Sequence, residues 1–248
     1  MSGHSKWHNI RLRKGKQDAE RGKTFTKLAK EIIVAAKAGG GNPYTNLRLR
    51  QAVDTARKAS MPADNIKRAI QRGTGELEGV SYEELTYEGY GPGGVAILVN
   101  CLTDNKQRTV ADVRAIFSKN GGRLGESGSV GYLFESRGVI LIDPNVTTED
   151  RLMEIALEAG AEDIQQTDDG GFEVTTAFED FAPVRDALDQ AKIIYSSAET
   201  AMIPSTTVAL EGKEAEQNLR LVDRLEEHDD VQDVYANFDI PDEVLAAV

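Results

Sequence analysis

GVILID at 138–143 opens the stretch that decides the fold. It is a short, β-branched apolar run closed by Pro144, and it reads as a buried strand. A helical period of apolar residues follows over 149–159, then EDIQQT at 162–167, the turn DDGG at 168–171, and FEVTT at 172–176. A second helical period over 180–191 and an extended stretch over 193–202 complete the series. The order β-α-β-β-α-β is that of a ferredoxin-like unit, complete within 138–204.

Working outward, VAILVNCL at 95–102 predicts a second buried strand, 109–119 a helix ended by Gly121 and Gly122, and SVGYLFE at 129–135 a strand. Beyond the first unit, TTVAL at 206–210 predicts a strand, 215–227 a helix and VQDVYANF at 231–238 another strand. Together these make a second β-α-β-β-α-β set, interrupted at its central hairpin. The expectation is an α+β protein with one ferredoxin-like domain (137–205) inserted into another (79–136 plus 206–240). Domains strung in series remain the alternative.

The first 78 residues have a different texture. Phe25, Leu28, Ala29, Ile32, Ile33 and Ala36 fall on one helical stripe, with Lys23, Lys27, Lys30 and Lys37 read on the opposite side. Gly39 to Gly41 end that helix. Asn42 and Pro43 can start a second, with Leu49, Ala52, Val53 and Ala56 inward and Arg48, Arg50, Arg57 and Lys58 mostly outward. A third runs from about Pro62 through Ile66, Ala69 and Ile70 to Gly73. Three short helices, with a basic arm at 1–22 that holds one tryptophan, make a small all-α domain over 1–78.

Charge divides the chain at nearly the same place. Residues 1–72 hold 17 Lys or Arg against 5 Asp or Glu, and the remaining 176 hold 12 against 36. The overall net charge of −12 hides this. Like charge gathered this densely usually has a polyanion to neutralise it, nucleic-acid phosphate above all. Internal docking of the acidic part on the basic part, or a solvated face, would leave the same pattern. Phosphate contacts are assigned to Lys6, Arg11, Arg13, Lys14, Lys16, Lys23, Lys27 and Lys30, with Trp7 offering a stacking surface. Reversing Lys23, Lys27 and Lys30 to Glu is expected to weaken binding without unfolding the helix. Lys106, Arg108, Arg114, Lys119 and Arg123 form a weaker basic group that could extend this surface.

Gly89, Gly91 and Gly94 satisfy G-x-G-x-x-G, but they precede a strand and enclose Pro92, whereas the dinucleotide fingerprint follows a strand and opens a helix. The loop reads as a tight turn, with Tyr90, Gly91, Pro92 and Gly93 as a second nucleic-acid contact. His4 and His8 lack a third ligand, His228 sits at a helix end, and no hydrolase, zincin or P-loop motif occurs. The expectation is no enzyme, no metal and no cofactor. Cys101, the single cysteine, lies in an apolar run and reads as a buried structural thiol. No apolar run is long enough to cross a membrane and no signal core follows the N-terminus, so the expected place is the cytoplasm, with no membrane partner.

Several of these stretches are also similar to one known family: GHSKW at 3–7, KGKQDAERGKTFTKLAKEI at 14–32, AAKAGGGNP at 35–43, NLRLRQAV at 46–53, MPADNIKRAIQRG at 61–73, YEGYGPGG at 87–94 and MIPS at 202–205. The chain resembles the YebC family, whose relatives include the mitochondrial translational activator of cytochrome c oxidase. The resemblance spans nearly the whole chain. It implies a helical N-terminal domain followed by two α/β domains, one inserted in the other. For function it implies a probable DNA-binding transcriptional regulator or, alternatively, a ribosome-associated translation factor that binds ribosomal RNA and assists proline-rich synthesis. A third class is a protein-binding module that uses the acidic domains.

Overall fold

A computed structural model describes residues 21–240 apart from 168, with side chains from 24 onward. Helix α1 (Arg21–Gly39), α2 (Leu47–Lys58) and α3 (Ala63–Gly73) form the helical region. Their apolar stripes meet in one cluster, built from Ile32, Ile33, Ala35 and Ala36 of α1, Leu49, Ala52, Val53 and Ala56 of α2, Met61 of the turn, and Ile66 and Ala69 of α3. The start of α2 lies later than the Asn42 and Pro43 expected, because Asn46 is its cap. The buried Asn46 amide donates to the carbonyls of Ala35 and Gly40, both at 2.8 Å, while its oxygen accepts from Leu49 N at 3.0 Å. One side chain thus ends α1 and begins α2, satisfying backbone groups that a helix leaves open.

The next elements are β1 (Glu83–Tyr90), a 3₁₀ turn at Pro92–Gly94, β2 (Ala96–Thr103), α4 (Lys106–Lys119) and β3 (Arg123–Leu124). Later in the chain α7 (Gly212–Glu226) and β9 (Val231–Ala236) join them. The sheet order is β3-β1-β2-β9, antiparallel throughout. Val113 and Phe117 of α4 and Leu219 and Val222 of α7 are buried with Ile97 and Val99 of β2. Gly89 lies so close under Phe117 that a Cβ there would come within 2.6 Å of the ring.

The second sheet has the order β5-β6-β4-β7, again antiparallel. Its strands are β4 (Phe134–Ile142), β5 (Ala161–Gln166), β6 (Phe172–Ala177) and β7 (Ser197–Pro204), with α5 (Glu149–Glu158) after β4 and α6 (Phe181–Gln190) after β6. Ile140, Ile142 and Val174 pack with Leu152, Ala156, Val184 and Leu188 in one core. β8 (Val208–Ala209) pairs in parallel with β10 (Phe238–Asp239). The described chain divides into two compact units, one of 21–131 with 210–236 and the other of 132–209 with 237–240.

The outer sheet corrects two expectations. Residues 129–135 do not form one of its strands: Gly131–Leu133 is a 3₁₀ turn and Phe134 already begins β4. The cause is Glu88, whose buried carboxylate accepts from the amides of Gly128, Val130 and Gly131, each at 2.7 Å, and so turns these amides away from a ladder. Of 206–210, only Val208–Ala209 is extended and paired, and outside this sheet. The place beside β2 is filled instead by β1, whose eight residues pair in register from Glu83↔Thr103 to Tyr90↔Ala96.

Candidate nucleic-acid interface

Of the residues assigned to phosphate contact, Lys6, Trp7, Arg11, Arg13, Lys14 and Lys16 lie outside the described residues, as does the side chain of Lys23. Lys27 and Lys30 are described, and neither projects from an outer face. Lys30 is 6% exposed, and its ammonium reaches Asp230 Oδ1 at 2.7 Å, the Asp229 carbonyl at 2.8 Å and the Leu102 carbonyl at 3.4 Å. Lys27 donates to the Glu226 carbonyl at 2.7 Å, at the last turn of α7, where a cation also complements the helix dipole. The assignment of Lys30 to phosphate is therefore corrected. Its place in the period lies near the flank of the apolar stripe, and a carboxylate from the other end of the chain meets it there.

That carboxylate is the centre of a polar cluster. Asp230 is 3% exposed, and its Oδ2 accepts from Arg108 Nη2 at 2.8 Å, Thr109 Oγ1 at 2.9 Å and Thr103 Oγ1 at 3.2 Å. Burial by itself would raise the Asp230 pKa, but the bonds from Lys30, Arg108 and Thr109 outweigh it and hold the carboxyl well below the ordinary value. The Asp230 amide donates to His228 Nδ1 at 3.1 Å, which leaves Nε2 to carry the proton toward Asp112 Oδ2 at 3.3 Å. His228 is thus tied by its side chain as well as placed at a helix end. Arg108, expected on an extended basic face, is committed to Asp104 and Asp230. Lys106, Arg114, Lys119 and Arg123 of that group remain exposed, Arg123 with its guanidinium 4.9 Å from the centre of the Tyr90 ring.

The outward cations of the helical region lie on α2 and α3. Arg50, Lys67 and Arg72 are exposed and make no ion pair with any described residue. Arg57 faces Asp54 at 3.5 Å and Arg68 donates to Asn65 Oδ1 at 2.8 Å, both on their own helices. Arg48 is more tied down, bridging Glu31 and Glu84. Lys67, Arg68 and Arg72 stand in MPADNIKRAIQRG at 61–73, outside the cations assigned to phosphate from the arm and α1.

The Gly-Pro-Gly-Gly turn is held from beneath. Asn218 of α7 is fully buried and donates to the carbonyls of Pro92 and Glu214, both at 2.9 Å. A Cβ on Gly91 would stand 2.1 Å from Asn218 Oδ1, so only glycine fits there. Gly93 and Gly94 have φ of 72° and 80°, backbone that glycine adopts without strain. Gly91 is buried, Tyr90 and Pro92 are partly buried, and the Tyr90 hydroxyl donates to the Ser129 carbonyl at 3.0 Å. Gly93 is the open position among the four, and the Glu214 carboxylate lies against it, which disfavours a phosphate at that point. Asn218 and Glu88 had no signal in the sequence, since each acts on backbone far away in the chain.

Cys101 is buried, and burial together with the charge of Asp230 pushes its thiol up to about 12, so it stays protonated at neutral pH. Among the described residues no group of three or more His, Cys, Asp or Glu side chains could hold a metal ion, and no helix is long and apolar enough to cross a membrane.

Comparison with known proteins agrees with this architecture. Residues 5–76 match the family described as TACO1/YebC protein N-terminal domain, and residues 82–238 match TACO1/YebC second and third domain. A "Probable transcriptional regulatory protein" of Geobacter sulfurreducens is 58% identical over 245 residues, covering 99% of this chain and 98% of that protein. One of the same description from Dictyoglomus turgidum is 56% identical over 249 residues, covering all of both. The crystal structure of the conserved hypothetical protein Aq1575 from Aquifex aeolicus superimposes with a TM-score of 0.83 at 47% identity, over 92% of this chain and 94% of that one. With both family descriptions matched in order along most of its length, the chain belongs to the TACO1/YebC family.

Proposed function

We propose that this protein is a non-enzymatic regulator of gene expression that binds nucleic acid through its N-terminal region, with promoter DNA as the first target. The observation that carries this reading is the concentration of 17 cationic residues in the first 72, against 5 acidic ones. The exposed cations of α2 and α3 support it, and relatives named probable transcriptional regulatory proteins favour DNA. The reading places the protein in the cytoplasm. Three domains carry it: 1–78, then 79–136 with 206–240, then 137–205. The order β5-β6-β4-β7 supports a ferredoxin-like class for the inserted domain. The order β3-β1-β2-β9 supports a permuted version for the middle one, with β1 standing in for its third strand.

Ribosomal RNA is the second reading, favoured by the aromatic and basic arm around Lys6 and Trp7, since unpaired bases stack on aromatic rings. Crosslinking in living cells with sequencing of the attached nucleic acid separates the two. Enrichment of promoter DNA supports the regulator, enrichment of ribosomal RNA supports the translation factor, and recovery of neither contradicts both.

A further inference from the structure

We propose that α2, the turn at 59–62 and α3 form a helix-turn-helix whose second helix enters the major groove of duplex DNA. This rests on the nucleic-acid reading above and assigns it a groove, a helix and a form of the polymer.

Two helices of 12 and 11 residues are joined by only four residues. Ser60 takes the left-handed conformation, φ 63°, and Met61 N donates back to the Ala56 carbonyl at 2.9 Å. That bond closes α2 sharply, and Pro62 then starts α3 with a fixed φ. Met61 is buried beneath the turn, with Ala56 fully buried before it and Ile66 and Ala69 buried after it, so the turn is packed as part of the core. Both helices rest on α1, and this leaves the other side of α3 to solvent. Asp64, Lys67 and Arg68 are exposed there and Gln71 is partly so.

These residue types match base edges. Arg and Lys donate to guanine O6 and N7, Gln pairs with adenine, and Asp accepts from cytosine N4. Eleven residues of helix span about 16 Å, and the B-form major groove, about 12 Å wide, admits such a helix. Arg50 and Arg57, exposed on α2, supply cations for flanking phosphates. In A-form RNA the major groove is too deep and narrow for side chains to read, so the arrangement favours DNA over double-stranded RNA.

The test uses the full chain. Its binding sites are selected from a random pool of 30-base-pair DNA duplexes, and affinity for the enriched duplex is compared with that for an RNA duplex of the same sequence. Both are then repeated with Lys67→Glu/Arg68→Glu and with the milder Lys67→Gln/Arg68→Gln, each checked for an unchanged melting temperature. The proposal expects a preference for DNA of ten-fold or more, and a loss on the order of 100-fold in the Glu pair from two lost base contacts. It also expects Arg68→Lys to relax preference at one base position. Wild-type DNA affinity in both folded double variants would overturn the helix assignment while leaving the nucleic-acid reading intact. Equal or tighter binding of RNA would overturn the choice of DNA, and absence of any binding would overturn both readings.

Discussion

Lys30 and Lys67 sit in the same helical region, each one turn or more inside its helix, and their fates are opposite. Lys30 is buried against Asp230, 200 residues away in the chain, and Lys67 stands in solvent with no ion pair to a described residue. Local sequence presents both as outward cations on amphipathic helices. What separates them is the surface each helix meets: α1 lies at the end of α7 and the start of β9, whereas α3 packs its apolar stripe within the helical cluster, mainly on α1. The basic segment therefore holds two populations, one that ties the helices to the outer sheet and one that stays exposed on α2 and α3.

The largest effect should come from exchanging the sign of each lysine. Lys30→Glu buries a second carboxylate beside Asp230 and should cost at least about 3–5 kcal/mol, the range for breaking a buried pair. Lys67→Glu should stay within about 0.5 kcal/mol, as exposed substitutions do. Denaturant unfolding of both variants measures the contrast, and equal stabilities would remove it.

Acid should erase the inner pair selectively. An aspartate whose folded pKa is depressed contributes stability in full above its unfolded pKa of about 3.9, and loses it as pH falls through the folded value. The unfolding free energy of the wild type should therefore exceed that of Asp230→Asn most at pH 6, with the gap narrowing steadily below about pH 4. A gap that is constant with pH would show that Asp230 is not ionised in the fold.

Asn46→Ala sharpens the comparison, since it weakens the helical core without touching either group of cations. The lost cap should cost about 1–2 kcal/mol, with no change in the number of phosphates bound, as read from the salt dependence of affinity. Ser60→Gly is the smallest change: relief of left-handed backbone at a non-glycine residue should add roughly 1 kcal/mol, measured as a rise in melting temperature. Destabilisation would mean that the Ser60 side chain contributes more than its backbone strain costs.

Much of this was legible in the sequence because it is periodic. The stripe of α1 and the buried run of β2 stand out from 3.6-residue or continuous apolar patterns. β1 was hidden, because EELTYEGY is largely acidic and polar, and its strand pairing depends on β2 and on the fit of Gly89 under Phe117. SVGYLFE shows the opposite error: its alternation suggests a strand, while Glu88 folds the amides of Gly128, Val130 and Gly131 around itself. At the candidate site the excess of cations could be counted and their exposure could not. Asp230 stands in EEHDDV, a run that looks like any solvated helix end until Lys30 and Arg108 are brought to it.

The most direct measurement is the dissociation constant of the full chain for a 30-base-pair DNA duplex as a function of salt, alongside the folded Arg50→Glu/Arg57→Glu variant, which removes the two cations assigned to phosphate. With 6 to 10 phosphates neutralised, wild-type affinity should fall by roughly 10³ to 10⁵ between 50 and 200 mM salt, and the variant should show weaker binding and a shallower slope. An affinity that does not change with salt, or a variant whose slope equals that of the wild type, would contradict an outer-face grip on nucleic acid.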